Sequence, residues 1–297
     1  MSLPTDYLPP PTCAAAVPGK EGITAAVMDA SPNLRVIARH GTGVDSVDLV
    51  AARERGVIVT HTGAANASAV SEYTVATMLS LTRRIGQKEE QLRSEGWGKA
   101  GEALPRELSE LTLGVVGMGE VGRRVVRHAV HGFGMRVLVF SPSVGAARIA
   151  AAGATPVDTL DALLAEADIV SLHGRLSAAT RHIIDAAALA RMKPGSVLIN
   201  TARGALVDEA ALAAALQRGA AEGGSAGGIV AAALDTFATE PLPVDSPLRL
   251  VPKERLLMTP HHATQTRGAF RGMAQAAAES IVDVLNERPI DPRRIAA

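Results

Sequence analysis

Apolar residues along this chain follow two alternating rhythms. Short runs rich in Val, Ile and Leu predict strands at Leu34–Ala38, Val57–Thr60, Leu113–Val116, Arg136–Phe140, Thr155–Val157, Asp168–His173, Ser196–Asn200, Ile229–Leu234 and Leu256–Thr259. Between them, stretches with helical spacing predict helices at Gly22–Ala30, Val47–Arg55, Ser68 or Ala69 to Arg84, from Val121 onward, Leu160–Glu166, Asp185–Met192, Asp208–Gln217 and Gln265–Asn286. Three stretches break the rhythm. Met1–Gly22 carries five prolines and reads as mostly irregular, Gly86–Glu110 reads as a polar connection, and Gly219–Gly228 reads as a flexible surface loop. Strands that alternate with helices predict an α/β protein with parallel sheets.

The length of 297 residues fits two domains better than one core. Aromatic residues make up only 2%, so packing must rely on Ala, Val, Leu and Ile. Formal charge is balanced at +0 and shows no basic block, so nucleic acid is not an expected partner. The single Cys13 excludes an internal disulfide, a CxxC redox pair and a cysteine-based metal site, and no metal is expected. No apolar run reaches the roughly 18 residues of a membrane helix. The N-terminus lacks a signal-peptide pattern, which predicts a cytoplasmic protein.

The most informative stretch is Gly117-Met118-Gly119-Glu120-Val121-Gly122, which lies between a predicted strand and a predicted helix, with the second strand arriving on schedule at Arg136. In a dinucleotide fold the first glycine makes the tight turn, the second lets the backbone approach a pyrophosphate, and the third lets helix pack on strand. The helix N-terminus faces the anion. Open parallel sheets bind ligands beyond the C-terminal ends of their strands. His173, Thr201-Ala202-Arg203, Asp235 and His261 each follow a predicted strand, which predicts a reaction centre beside a nicotinamide. Hydride transfer to a carbonyl needs an acid/base near neutrality and a cation that grips the substrate. His261, partnered by the carboxylate of Glu240, and Arg203 supply these types.

The segments around Arg203 (Asn-Thr-Ala-Arg-Gly), Glu240 (Thr-Glu-Pro-Leu-Pro) and His261 (Thr-Pro-His-His), together with the glycine turn, resemble the D-isomer-specific 2-hydroxyacid dehydrogenase family, which includes phosphoglycerate dehydrogenase, glyoxylate/hydroxypyruvate reductase and D-lactate dehydrogenase. The likeness runs from about Ile23 to Met273. It implies a Rossmann dinucleotide-binding domain at 69–263 and a smaller flavodoxin-like α/β substrate domain at 1–68 and 264–297, commonly in a homodimer. It further implies that Arg203 binds the substrate carboxylate and carbonyl, Glu240 orients His261, His261 donates the proton, and Asp235 holds the nicotinamide carboxamide. Backbone groups of Thr42 and Gly43 would also bind the substrate. The cofactor contacts expected are Gly117, Met118, Gly119, Glu120, Val121, Gly122, Ser141, His173, Thr201, Ala202, Asp235 and His261. The implied reaction moves hydride between NAD(P)H and a small 2-keto acid or its D-2-hydroxy acid.

Alternatives remain open in the sequence. A dinucleotide-sensing protein without catalysis, similar to the C-terminal binding protein corepressors, would keep the same fold. Formate dehydrogenase carries Gln in place of Glu as the histidine partner, and Glu240 disfavours it. His262 is the wrong histidine of its pair, because the motif places catalysis on the residue after Pro260. His173 reads equally as loop support or cofactor contact, His40 and His61 as surface or packing residues, and Arg123/Arg127 as a solvated face. Trp97 reads as a subunit or interdomain anchor or as an ordinary part-buried aromatic.

Three departures from the family pattern stand out. Ser141-Pro142-Ser143 follows Phe140 where an Asp or Glu usually receives the adenosine ribose, so NAD and NADP both remain open. Arg175 stands where Pro usually shapes the loop. The chain before Ile23 replaces a longer strand–helix–strand segment, which predicts a substrate domain shortened at its N-terminus. Lys20 is the only basic residue near that segment, which disfavours a phosphorylated substrate.

Overall fold

The computed structural model describes residues 13–18, 22–97, 104–221 and 228–296. Lys20 lies outside them, as do most of the proline-rich start and 222–227 of the Gly/Ala-rich stretch. The chain divides into two compact units, one of Met1–Ala69 with Thr264–Ala297, the other of Val70–Ala263. Among the described residues no helix is long and apolar enough to cross a membrane.

The first unit holds a three-stranded parallel sheet of β1 (Ala15–Ala16), β2 (Val36–Arg39) and β3 (Ile58–His61), in that order. Its strands are apolar on both faces, as a covered parallel sheet requires. Ile37 and Val59 pack with Val27 and Met28 of α1 (Ala25–Asp29) and Ala51 and Ala52 of α2 (Leu49–Glu54). Val36 and Ala38 point the other way, onto Ala277 and Val284 of the C-terminal helix (Arg267–Leu285). Side-chain caps start both short helices. Thr24 accepts from Val27 N at 3.4 Å, and Asp48 from Ala51 N at 2.9 Å.

Within Met1–Gly22, expected to be mostly irregular, Ala15–Ala16 form the short strand β1. The prolines flank this piece rather than interrupt it, so Ala14 O is free to accept from Arg35 N and Val36 N, at 2.9 and 3.3 Å.

The second unit is a seven-stranded parallel sheet. Its strands are β4 (Thr112–Val116), β5 (Arg136–Phe140), β6 (Thr155–Pro156), β7 (Ile169–Leu172), β8 (Val197–Asn200), β9 (Ala231–Leu234) and β10 (Leu256–Met258). Their order is β10-β9-β8-β7-β4-β5-β6, so the winding reverses between β4 and β7. Ligands collect at such a switch point. On one face lie Leu163 and Leu164 of α7 (Leu160–Glu166), Leu189 of α8 (Ala186–Arg191) and Leu212 and Leu216 of α9 (Glu209–Ala221). On the other lie Val125 and Val126 of α5 (Glu120–Arg127) and Met78 of α3 (Ala67–Thr82). At the opposite, N-terminal edge, Asp168 accepts from Lys193, Arg106 and Thr112 N, at 2.8, 2.9 and 2.8 Å. Burial pushes the Asp168 carboxyl up, but these three donors outweigh it and hold it below its ordinary value.

Two helices were not anticipated. α4 (Ile85–Glu95) lies inside the stretch expected to be a polar connection. It buries none of its residues, so the pattern that betrays a helix is missing. Contacts such as the ion pair of Arg93 with Glu89 support it along its own surface. α6 (Ala146–Ala150) is one short turn of mostly alanine, too brief to show periodicity. α9 also continues to Ala221, past the expected start of a loop at Gly219. Trp97 is 92% exposed, which removes the part-buried alternative for it.

Candidate active site

The glycine turn begins where β4 ends. Gly117 has φ +91, a conformation that favours glycine, and its N–H donates to Phe140 O at 2.8 Å. A Cβ at Gly117 would come within 2.7 Å of Gly174 N, so the loops after β4 and β7 touch. A Cβ at Gly122 would lie 2.2 Å from Gly117 O, which fixes α5 against the turn. At Gly119 an added Cβ would meet nothing within 4 Å, so the backbone that opens α5 faces free space. A close-approach glycine beside open space and a helix N-terminus is the donor set a pyrophosphate requires, and a dinucleotide fits these residues.

The rest of the turn is tied to its neighbours. Met118 N donates to Ser141 Oγ at 3.2 Å, which anchors the turn to the end of β5. Glu120 receives Arg124 and Arg123 at 2.7 and 2.8 Å, and the Arg124 bond holds its carboxyl below the ordinary value despite partial burial. Val121 is half-buried, and Arg123 pairs with Glu120, whereas Arg127 is exposed. His173 N donates to Val116 O at 2.8 Å, and its Nε2 lies 2.8 Å from Ser171 Oγ. Burial pushes the His173 imidazole down to about 4, so it is neutral near pH 7.

The segment after β8 is held from several sides. Asn200, fully buried, donates through Nδ2 to Arg203 O at 2.8 Å and accepts through Oδ1 from Ala202 N at 3.0 Å. Thr74 of α3 gives its hydroxyl proton to Val70 O at 2.9 Å, so Thr201, 3.0 Å away, is the donor in their pair. Arg203 is part-buried and donates through Nη1 to Ala202 O at 2.7 Å. The next residue, Gly204, packs backbone to backbone with the loop after β9. A Cβ there would fall 1.9 Å from Phe237 C and 2.2 Å from Ala238 N.

That second loop carries Glu240. Its Oε1 accepts from Phe237 N at 3.1 Å, and its two oxygens lie 3.1 and 2.9 Å from His261 Nδ1. Both side chains keep about a quarter of their surface open, 21% for Glu240 and 29% for His261. The carboxylate settles the proton on Nδ1 and leaves Nε2 for exchange. His261 itself sits at φ +53, an uncommon backbone for a non-glycine residue. Asp235, 2% exposed, holds the turn there. Its Oδ1 accepts from Thr259 Oγ1 and His262 N, each at 2.7 Å, and its Oδ2 from Ala263 N at 2.9 Å. The ring of His262 meets Tyr73 edge-on, with centroids 6.3 Å apart, away from the pairing with Glu240.

Arg203, Glu240, His261 and Asp235 are thus linked within one unit by an unbroken run of contacts. Thr42 belongs to the other unit, where its hydroxyl lies 2.9 Å from Gly63 O and 3.2 Å from Asn66 Oδ1, with Gly43 following it in the chain. In that unit His61 Nδ1 accepts from Gly63 N at 3.0 Å, and His40 packs on Phe270. The sequence reading missed Asn200, Thr74, Thr259 and Gly204. Asn200 had a signal, a polar residue closing an otherwise apolar run, whereas Thr74 had none short of knowing which helix crosses the strand ends.

Residues 75–263 match the family model described as D-isomer specific 2-hydroxyacid dehydrogenase, NAD binding domain. The chain is 38% identical to a D-3-phosphoglycerate dehydrogenase of Mycobacterium tuberculosis over 259 residues, 87% of this chain and 46% of the relative. It is 36% identical to a glyoxylate reductase of Thermofilum pendens over 266 residues, 89% of this chain and 75% of that one. A crystal structure of D-lactate dehydrogenase from Aquifex aeolicus, complexed with NAD and lactic acid, superposes with a TM-score of 0.84 at 30% identity, covering 96% of this chain and 86% of the other. The chain spans about half the length of the phosphoglycerate dehydrogenases it matches.

Proposed function

The chain belongs to the D-isomer-specific 2-hydroxyacid dehydrogenase family, and from that premise we propose that it reduces small 2-keto acids to D-2-hydroxy acids, and the reverse, with NAD or NADP as the hydride carrier. The observation that carries this reading is the His261–Glu240 pair at 2.9 Å, bound through Phe237 and Gly204 to the loop of Arg203. When bound, the nicotinamide supplies or takes up the hydride. The protein's residues do the rest. The Arg203 guanidinium grips the substrate carboxylate and keto oxygen, and backbone groups of Thr42 and Gly43 are the substrate contacts proposed on the other unit. His261 gives a proton from Nε2 to the oxygen on which negative charge develops, and Glu240 stabilises the charged ring beforehand. Residues 69–263 act as the dinucleotide domain, with Gly117–Gly122, Ser141, His173, Thr201 and Ala202 around the cofactor, and 1–68 with 264–297 as the substrate domain.

Two further parts of the reading concern setting. A homodimer is supported by apolar side chains left open on and just after α4, namely Ile85, Leu92 and Trp97, which a second copy would cover. A cytoplasmic location is supported by the need for a shared pool of reduced nicotinamide. Analytical ultracentrifugation and cell fractionation test these two points.

The decisive experiment follows NADH and NADPH oxidation in parallel against glyoxylate, hydroxypyruvate, pyruvate and phosphohydroxypyruvate. Turnover with any pair is the expected result. Tight cofactor binding without turnover on any of them overturns the enzyme reading in favour of a dinucleotide sensor.

A further inference from the structure

We propose that the dinucleotide this chain prefers is NADP(H), its 2′-phosphate held by the Ser141 hydroxyl and the Arg175 guanidinium. The inference rests on the dinucleotide reading above and adds which dinucleotide. A ribose with free 2′- and 3′-hydroxyls presents two donors and is best met by a carboxylate at the end of the second strand, whereas a 2′-phosphate presents only acceptors and two negative charges. At the end of β5 stands Ser141, and the sequence from Glu120 to Asp158 contains no carboxylate between those two residues, while it contains Arg123, Arg124, Arg127, Arg136 and Arg148. The carboxylate of Glu120 is already taken by Arg123 and Arg124. The segment from Val121 to Val157 thus offers no carboxylate to welcome a ribose diol or to repel a phosphate.

Ser141 and Arg175 follow β5 and β7, the two strands that flank β4, at the same C-terminal edge of the sheet. Ser141, 8% exposed, accepts through Oγ from Met118 N, which uses a lone pair and leaves its hydroxyl proton available to donate. Arg175 follows Gly174, whose backbone already abuts Gly117, so the loops after β4, β5 and β7 meet around the glycine turn. The Arg175 backbone is anchored through its carbonyl, which accepts from Thr180 Oγ1 at 2.7 Å. Its guanidinium is exposed and has no hydrogen bond or ion pair among the described residues. Arg148 on α6 is likewise exposed and unpaired, and adds to the positive field. A guanidinium can only donate, so Arg175 has nothing to offer a ribose hydroxyl as acceptor and much to offer a phosphate.

The test is calorimetric titration of the full chain with NADPH and with NADH, without substrate, for the parent, Arg175→Gln and Ser141→Asp. The expected result is NADPH binding at least about tenfold tighter than NADH in the parent, with the preference reduced in Arg175→Gln and inverted in Ser141→Asp. Arg175 is exposed, so its variant reads the phosphate contact without disturbing the fold, and it stands by itself if Ser141→Asp loosens the glycine turn. Equal affinity for both cofactors, or tighter NADH, in the parent overturns this inference and leaves the dehydrogenase reading intact. Failure of both cofactors to bind overturns the dinucleotide reading and this inference with it.

Discussion

His261 Nδ1 lies 2.9 Å from Glu240 Oε2, and the backbone of His261 adopts φ +53 to put it there. A left-handed backbone at a non-glycine residue persists only where surrounding contacts enforce it. Here the enforcement comes from Asp235, whose oxygens hold Thr259, His262 and Ala263 on either side.

Replacing His261 by Ala removes the side chain proposed as the proton donor and leaves the glycine turn in place. Its kcat is expected to fall by about 10²–10⁴-fold with little change in cofactor Kd. Glu240→Gln keeps a hydrogen bond to Nδ1 but loses the charge that stabilises the protonated ring, so its kcat falls by a smaller factor, roughly 10–100-fold. Steady-state kinetics beside a cofactor titration check both. Unchanged kcat in His261→Ala removes this residue from the chemistry.

Asp235 separates two roles. A side chain that mainly fixes the His261 turn affects kcat and stability, whereas one that mainly holds the nicotinamide carboxamide affects cofactor affinity. Asp235→Asn turns one oxygen into an NH2 group that faces a backbone donor, at a site only 2% exposed. The expected loss is about 1–3 kcal/mol in unfolding free energy, with a fall in kcat. Chemical denaturation and cofactor titration on the same sample distinguish the roles, and a loss confined to cofactor Kd would assign Asp235 to the nicotinamide instead.

Much of this arrangement was legible before any coordinates. Strands β7 to β10 are mostly apolar runs, interrupted only by Ser171 in β7, as a parallel sheet with covered faces demands, and polar residues of the candidate site lie at or just after their ends. The family pattern supplied Arg203, Glu240 and His261. What stayed hidden depends on contacts distant in sequence. Thr74 meets Thr201 across 127 positions, and Gly204 is required by the backbone of Phe237, neither of which leaves a local rhythm. α4 was hidden for the opposite reason, since a helix that buries nothing has no apolar stripe to read.

Gly204→Ala is the sharpest test of that buried contact. The new methyl would sit 1.9 Å from the Phe237 carbonyl carbon, and backbone cannot rotate out of the way as a flexible side chain can. Either the loop of Arg203 or that of Glu240 must move. The variant is expected to lose more than about 2 kcal/mol of stability and, where it folds, to show a raised substrate KM with a lowered kcat. Thermal melts and kinetics measure both, and a variant indistinguishable from the parent would dissolve the link between the two loops.

His173 ties stability to pH. Burial lowers its imidazole from 6.5 to about 4, so the folded chain keeps it neutral where the unfolded chain protonates it. Between those values the unfolded state binds more protons, and stability falls as pH drops. The contribution of His173 is fully present above about pH 6.5, decreases on the way down, and changes no further below about 4. By about pH 5 the loss amounts to something on the order of 2 kcal/mol. His173→Gln keeps a polar group for Ser171 and cannot titrate in this range. Denaturant midpoints taken from about pH 7.5 to pH 4.5 should therefore drop more steeply for the parent than for the variant, the two curves diverging as pH falls below about 6.5. Carboxylates such as Asp168 titrate in both proteins and cancel in the comparison. Parallel curves would mean that the imidazole gains its proton in the folded state at an ordinary pH, and that water reaches the ring beneath the glycine turn.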